Sequence, residues 1–217
     1  MVDYSTRRTM MVDTQVRPSD VTKFPIIDAM LAVPREVYVP DALREAAYMG
    51  EHLDLGDNRV VLEPRTFAKM LEVLDIQQDH TVLDLGCGLG YSTAVLARLA
   101  DFVAGVEDDE DRATEAQSLL SESGVDNAAV LSGSLAEGAA KSGPYDIIMI
   151  QGAVDEIPDA LLDQLREGGR IACIFAEGSL GVVRVGHKLN DRVSWRFAFN
   201  ATAPLLSSFQ KEAAFSL

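Results

Sequence analysis

Thr81-Val82-Leu83-Asp84-Leu85-Gly86-Cys87-Gly88-Leu89-Gly90-Tyr91 reads as a buried strand, a glycine turn and the start of a helix. Counting the strand at 80–85, short apolar runs recur at 102–106, 128–131, 145–150 and 169–175. Helical stretches separate them, at about 91–100, 109–123 and 158–166. Strands alternating with helices imply βαβ units, and βαβ units imply a mostly parallel sheet. The runs 180–188 and 192–200 flank Asn190-Asp191, a turn pair, and predict an antiparallel hairpin. A last strand is expected to include Phe209 to Phe215.

Upstream of the first run, Phe67, Met70, Leu71 and Leu74 recur at i, i+3, i+4 and i+7, so a helix should open at Pro64. Ile26, Ile27, Met30 and Leu31 predict another, over 25–33. Pro34 and Pro40 bracket a short segment, and a second short helix is expected from Asp41 to Tyr48. Asp54 to Val61 reads as a loop leading into an extended piece, and the polar stretch from Met1 to about Arg17 as partly extended. The expected fold is therefore α/β: a Rossmann-like, doubly wound, mostly parallel sheet with a C-terminal antiparallel hairpin and an N-terminal helical cap. The cap and substrate loop are assigned to 1–62 and the core to 63–217, within one structural domain.

Composition narrows the function. The chain has 217 residues, enough to bury a sizeable core. Its formal charge of −15 disfavours phosphate backbones and anionic membranes as partners. Two cysteines, Cys87 and Cys173, cannot form a disulfide framework, and no apolar run is long enough to span a membrane. The N-terminus lacks the apolar segment of a secretory signal, so a reducing cytoplasm is expected. His52, His80 and His187 show no metal-ligand spacing, and no metal is expected.

The glycine turn can hold a ligand. Glycines permit a tight turn and close backbone approach, and the following helix N-terminus offers free N–H groups. A dinucleotide turn follows GxGxxG, whose third glycine would stand at position 91, occupied here by Tyr91. Asp84, two residues before the first glycine, suits an ammonium better than a phosphate. Glu107 ends the next strand 21 residues after Gly86, near the roughly 20 expected of an acid that holds ribose hydroxyls. Together these describe a hollow for a nucleoside with a cationic tail, the composition of S-adenosylmethionine. The alternative is a tight strand–helix turn with no ligand, and for Glu107 a solvated carboxylate at a helix start.

The chain resembles class I S-adenosylmethionine-dependent methyltransferases, and within them the protein-L-isoaspartate O-methyltransferases. The resemblance runs from about Met11 to Phe175. It is carried by MVDTQVRPSDV at 11–21, DAMLAVPREVYVP at 28–40, AAY at 46–48, LDLG at 53–56, EPRTFAKMLEVL at 63–74, the glycine turn, and the segments PYDIIMIQGAVDEIP and LLDQLREGGRIACIF. The VPREVYVP segment is the most specific to the family. The resemblance implies methylation of a carboxylate on a protein or peptide. It also implies a cofactor site at Asp84, Gly86, Cys87, Gly88, Gly90, Tyr91, Glu107, Asp108, Ser134, Leu135 and Gln151.

The family has Gln-Thr-Ile-Ser before the proline of the 64–75 helix, where this chain has Arg59-Val60-Val61-Leu62. Leu62 stands at the serine position and cannot hydrogen-bond a substrate. Ser134 replaces an acid after the third strand, and Gln151-Gly152-Ala153 replaces a Thr-Ala-Ala type stretch. Arg59, Glu63 and Tyr48 are then the polar candidates to touch substrate. A different methyl acceptor and a non-catalytic cofactor-binding protein remain as alternatives.

Overall fold

The computed structural model describes residues 3–178 and 180–211. Seven strands form one sheet: β3 (Thr81–Leu85), β4 (Phe102–Glu107), β5 (Ala128–Ser132), β6 (Tyr145–Val154), β7 (Leu165–Glu177), β8 (Leu180–Leu189) and β9 (Arg192–Asn200). Their order is β5-β4-β3-β6-β7-β8-β9. The pairs from β5 to β7 are parallel, and β7–β8 and β8–β9 are antiparallel. The chain winds outward from β3 in one direction, then restarts on its other side with β6. That reversal is a switch point at the carboxyl ends of β3 and β6, the place where such sheets bind ligands. The doubly wound sheet and terminal hairpin agree with expectation. Asn190 and Asp191 take positive φ values of 53° and 58°, as a two-residue hairpin turn requires.

Helices α3 (Pro64–Leu74), α4 (Tyr91–Ala97) and α5 (Glu110–Glu122) cover the sheet. The apolar positions read for α3 are all buried. Helix α2 (Phe24–Ala32) and short 3₁₀ turns at Arg35–Tyr38 and Asp41–Ala46 form the cap. One apolar cluster joins cap and core, including Met30, Tyr38, Phe67, Leu71 and Val95.

Three expectations are corrected. The N-terminus is not extended: Tyr4–Met11 forms helix α1, capped by Asp3 accepting from the Thr6 N–H at 3.2 Å. A wide turn at Val12–Val16 follows. Docking is the cause, since Met11, Val12 and Val16 are buried in the shared cluster. The helix expected at 158–166 is only α6 (Asp159–Leu162), because Leu165 already pairs with Tyr145 in the sheet. Ser207–Phe209 is a short 3₁₀ turn rather than strand, and the rest of that expected element, from 212, lies outside the described residues.

The piece expected as loop and extended strand is a separate two-stranded hairpin, β1 (Leu53–Gly56) and β2 (Arg59–Val61). Its tip, Asp57-Asn58, has positive φ at both residues. Among the described residues no helix is long and apolar enough to cross a membrane.

Candidate cofactor site at the carboxyl ends of the strands

The glycine turn leaves β3 with Gly86, Gly88 and Gly90 all at positive φ, a conformation that L side chains rarely adopt. Gly90 heads α4. Glu107 ends β4 beside the turn, fully buried. Its Oε2 accepts from the Gly88 N–H at 2.9 Å, and its Oε1 from Arg59 Nε at 3.2 Å and Arg112 Nη1 at 3.1 Å. Arg59 Nη2 also reaches Asp108 Oδ2 at 2.6 Å. Burial raises the Glu107 carboxyl above its usual range, opposed by the two guanidiniums and the Gly88 N–H. The neighbouring Asp108 is partly buried, which opposes its charge, yet it is held below its usual range by Arg59, which donates to it and carries the opposite charge.

Asp84 lies fully buried at the end of β3. Its Oδ2 accepts from the Ser92 and Thr93 hydroxyls at 2.6 and 2.7 Å, and its Oδ1 from the Gln151 amide at 2.7 Å. Burial raises its carboxyl, and these three donors oppose the rise. Two residues singled out separately, Asp84 and Gln151, thus meet across β3 and β6. The Cys87 thiol is buried and pushed well up by desolvation and by Asp84 and Glu107, so it packs as a small neutral group.

The hollow expected above the turn is closed. Leu55 of β1 lies over Gly88, with its Cδ1 2.7 Å from where a Cβ would stand. Arg59 Nε lies 3.9 Å, and Leu135 and Leu206 methyls 3.6 and 3.8 Å, from the equivalent point on Gly86. The remaining space beside Gly86, Cys87, Tyr91, Ser92 and Gln151 is about 10 Å³. That is room for about one water, against the ~300–1,000 Å³ of small-molecule sites. The residue types still suit a nucleoside: a carboxylate for a diol, glycines that allow close backbone approach, and an amide. Chemistry fits, and the hairpin takes the room.

The other candidates fall around this centre. Leu62, 2% exposed, joins Val60, Val61, Phe67 and Tyr91 as an apolar wall. The Tyr91 ring packs on Phe67 and Tyr38 and under the Arg35 guanidinium, 4.7 Å from its centroid. Glu63 accepts from the Thr66 hydroxyl at 2.5 Å at the head of α3. Ser134 is exposed and Leu135 buried. Tyr48 is engaged by Arg8 and Glu36 within the cap. His52 is a strut: its Nδ1 accepts from the Glu63 N–H at 2.9 Å and its Nε2 lies 2.7 Å from the Thr202 carbonyl.

Sequence reasoning missed Arg112, Leu55 and Leu206. Arg112 had a signal, being the first cation after the acidic run 107–111. The two leucines had none.

A model of the protein-L-isoaspartate(D-aspartate) O-methyltransferase family matches residues 7–197. A protein-L-isoaspartate O-methyltransferase 2 of Shewanella sediminis is 37% identical over 212 residues, covering 97% of this chain and 87% of that one. A protein-L-isoaspartate O-methyltransferase of Syntrophus aciditrophicus is 36% identical over 77% of each chain. A Plasmodium falciparum structure named for the same activity, in complex with S-adenosyl-L-homocysteine, superposes with a TM-score of 0.81. It covers 96% of this chain and all of its own, at 18% identity, and so speaks for the fold alone.

Proposed function

The chain belongs to the protein-L-isoaspartate(D-aspartate) O-methyltransferase family, and from that premise we propose that it methylates a carboxylate of damaged proteins, the isoaspartyl side chain, with S-adenosylmethionine as donor. The family match over 7–197 carries this reading. The buried Glu107 beside the glycine turn supports it.

The cofactor, when bound, supplies an activated methyl on a good leaving group. Glu107 would hold its ribose hydroxyls, and Gly86, Cys87, Gly88 and Gly90 would lie along it. Asp108, Ser134, Leu135 and Gln151 are the remaining candidates to surround it. An acceptor carboxylate is ionised at neutral pH, so the chain needs no general base. Its work is alignment and exclusion of water. The Val60–Leu62 wall would exclude water; Arg59 and Glu63 flank it in the chain, and the buried Arg35 guanidinium donates to the Leu62 carbonyl at 2.8 Å. Two buried free cysteines support a reducing compartment, which we take to be the cytoplasm.

The test is transfer of labelled methyl from S-adenosylmethionine to an isoaspartyl peptide, with the aspartyl peptide as control. Label on the isoaspartyl peptide alone is expected. No transfer above background from folded protein rejects the reading. One observation favours a second reading, a different acceptor on the same core: Val60 and Leu62 present no hydroxyl to a substrate. A Val60→Thr, Leu62→Ser variant that gains isoaspartyl activity from an inactive parent would place the acceptor choice in that wall.

A further inference from the structure

Arg59 occupies the carboxylate that a nucleoside would need. The guanidinium is 2% exposed, bonded to Glu107 at 3.2 Å and Asp108 at 2.6 Å. With Arg112 and the Gly88 N–H also engaged, both Glu107 oxygens are in use. Oε1 already takes two donors and Oε2 one, so a ribose diol that bridges both oxygens must displace a donor from Oε1, and Arg59 is the donor there that sits on the separate hairpin β1–β2.

Hairpin β1–β2 forms its own two-stranded sheet, apart from the seven-stranded one. Two-stranded hairpins are marginal by themselves and depend on what they pack against. This one is held over the turn by Leu55 on Gly88, by Arg59 on Glu107 and Asp108, and by an Asp57–Arg112 pair at 3.4 Å. The clasp is incomplete, because Arg59 Nη1 is buried with no hydrogen-bond partner among the described residues. Lifting the hairpin returns that N–H to water and opens the turn.

We propose that Arg59 is an internal competitor for Glu107, so that β1–β2 is a latch whose release sets cofactor affinity and access in this chain. This rests on the assignment of Glu107 to the cofactor ribose. Apparent affinity is the intrinsic affinity scaled by the open fraction, so weakening the clasp tightens binding until the open state dominates. The gain should come from faster association, since a ligand that waits for a rare open state associates slowly.

The experiment is calorimetric and stopped-flow titration with S-adenosylhomocysteine of the wild type, Arg59→Gln, Arg59→Lys and Leu55→Ala, each first shown by thermal melting to be folded. Arg59→Gln should bind about tenfold or more tightly, with a faster association rate. Arg59→Lys, which keeps the charge, should fall between it and the wild type. Leu55→Ala, which loosens the same lid without touching Glu107, should also associate faster, and it carries the test if Arg59→Gln does not fold. Wild-type binding with equal or weaker binding by Arg59→Gln and Leu55→Ala overturns the latch alone, because a merely structural Arg59 would lower affinity when removed. Binding by none of the proteins overturns the cofactor assignment, and the latch with it.

Discussion

Gln151 donates its side-chain amide to Asp84 at 2.7 Å, joining the carboxyl ends of two neighbouring parallel strands inside the closed site. Both residues are buried, so neither can exchange the contact for water. Gln151→Leu should lower stability by about 1–3 kcal/mol, the cost of leaving a buried acceptor short of a donor. For a chain of this size that is roughly 2–4 °C of Tm per kcal/mol, read by thermal melting. An unchanged Tm would mean that the contact is neutral.

Asp84 carries a pH signature. Burial raises its folded carboxyl above the ordinary 3.8, so the folded protein holds that proton more tightly than the unfolded chain does. Its contribution is fully favourable below 3.8 and is lost as pH rises through the raised folded value. The Tm difference between wild type and Asp84→Asn should therefore shift in favour of the wild type as pH falls from about 7 towards about 4. A flat difference across that window would contradict a raised Asp84.

Leu206 covers Gly152 so closely that an added Cβ would lie 2.6–3.0 Å from three of its side-chain carbons. Gly152→Ala should cost about 1–3 kcal/mol by overpacking. Paired with Leu206→Ala, it should cost less than the sum of the single changes, because the truncated side chain leaves room. Strict additivity in a double-mutant cycle would argue that the two do not touch.

His52 ties the head of α3 to the segment after β9 through both ring nitrogens. His52→Ala should cost about 0.5–1.5 kcal/mol, modest because the ring is only half-buried. Hydrogen exchange should show the Glu63 amide losing protection, and retained protection would exclude the strut.

Burial raises the thiols of both Cys87 and Cys173. A disulfide reagent at mildly alkaline pH should leave native protein almost unmodified and react with both thiols in denaturant. Rapid labelling of either cysteine in the native state would show that its surroundings open.

The central parallel strands β3, β4 and β6 were legible because each is buried on both faces and reads as a largely apolar run. The hairpin at Asn190-Asp191 was legible from its turn chemistry. Helix α1 was not, because YSTRRTMM is polar over most of its length and is held by tertiary burial of Met11 and the residues after it. The boundary between α6 and β7 was not, because pairing of Leu165 with Tyr145 decides it from 20 residues away.

By itself, the chain's sequence determined the order of the seven strands of the main sheet, the glycine turn and the acid that follows it. Each depends on residues a short distance apart, whose periodicity and backbone preferences act locally. Tertiary structure alone decided that Arg59 lies on Glu107, 48 residues away, that Gln151 reaches Asp84 across 67, and that the turn is covered rather than open. Those contacts arise where burial forces charged and polar groups to find partners from whatever elements the fold brings near, and no local pattern in the chain encodes that choice.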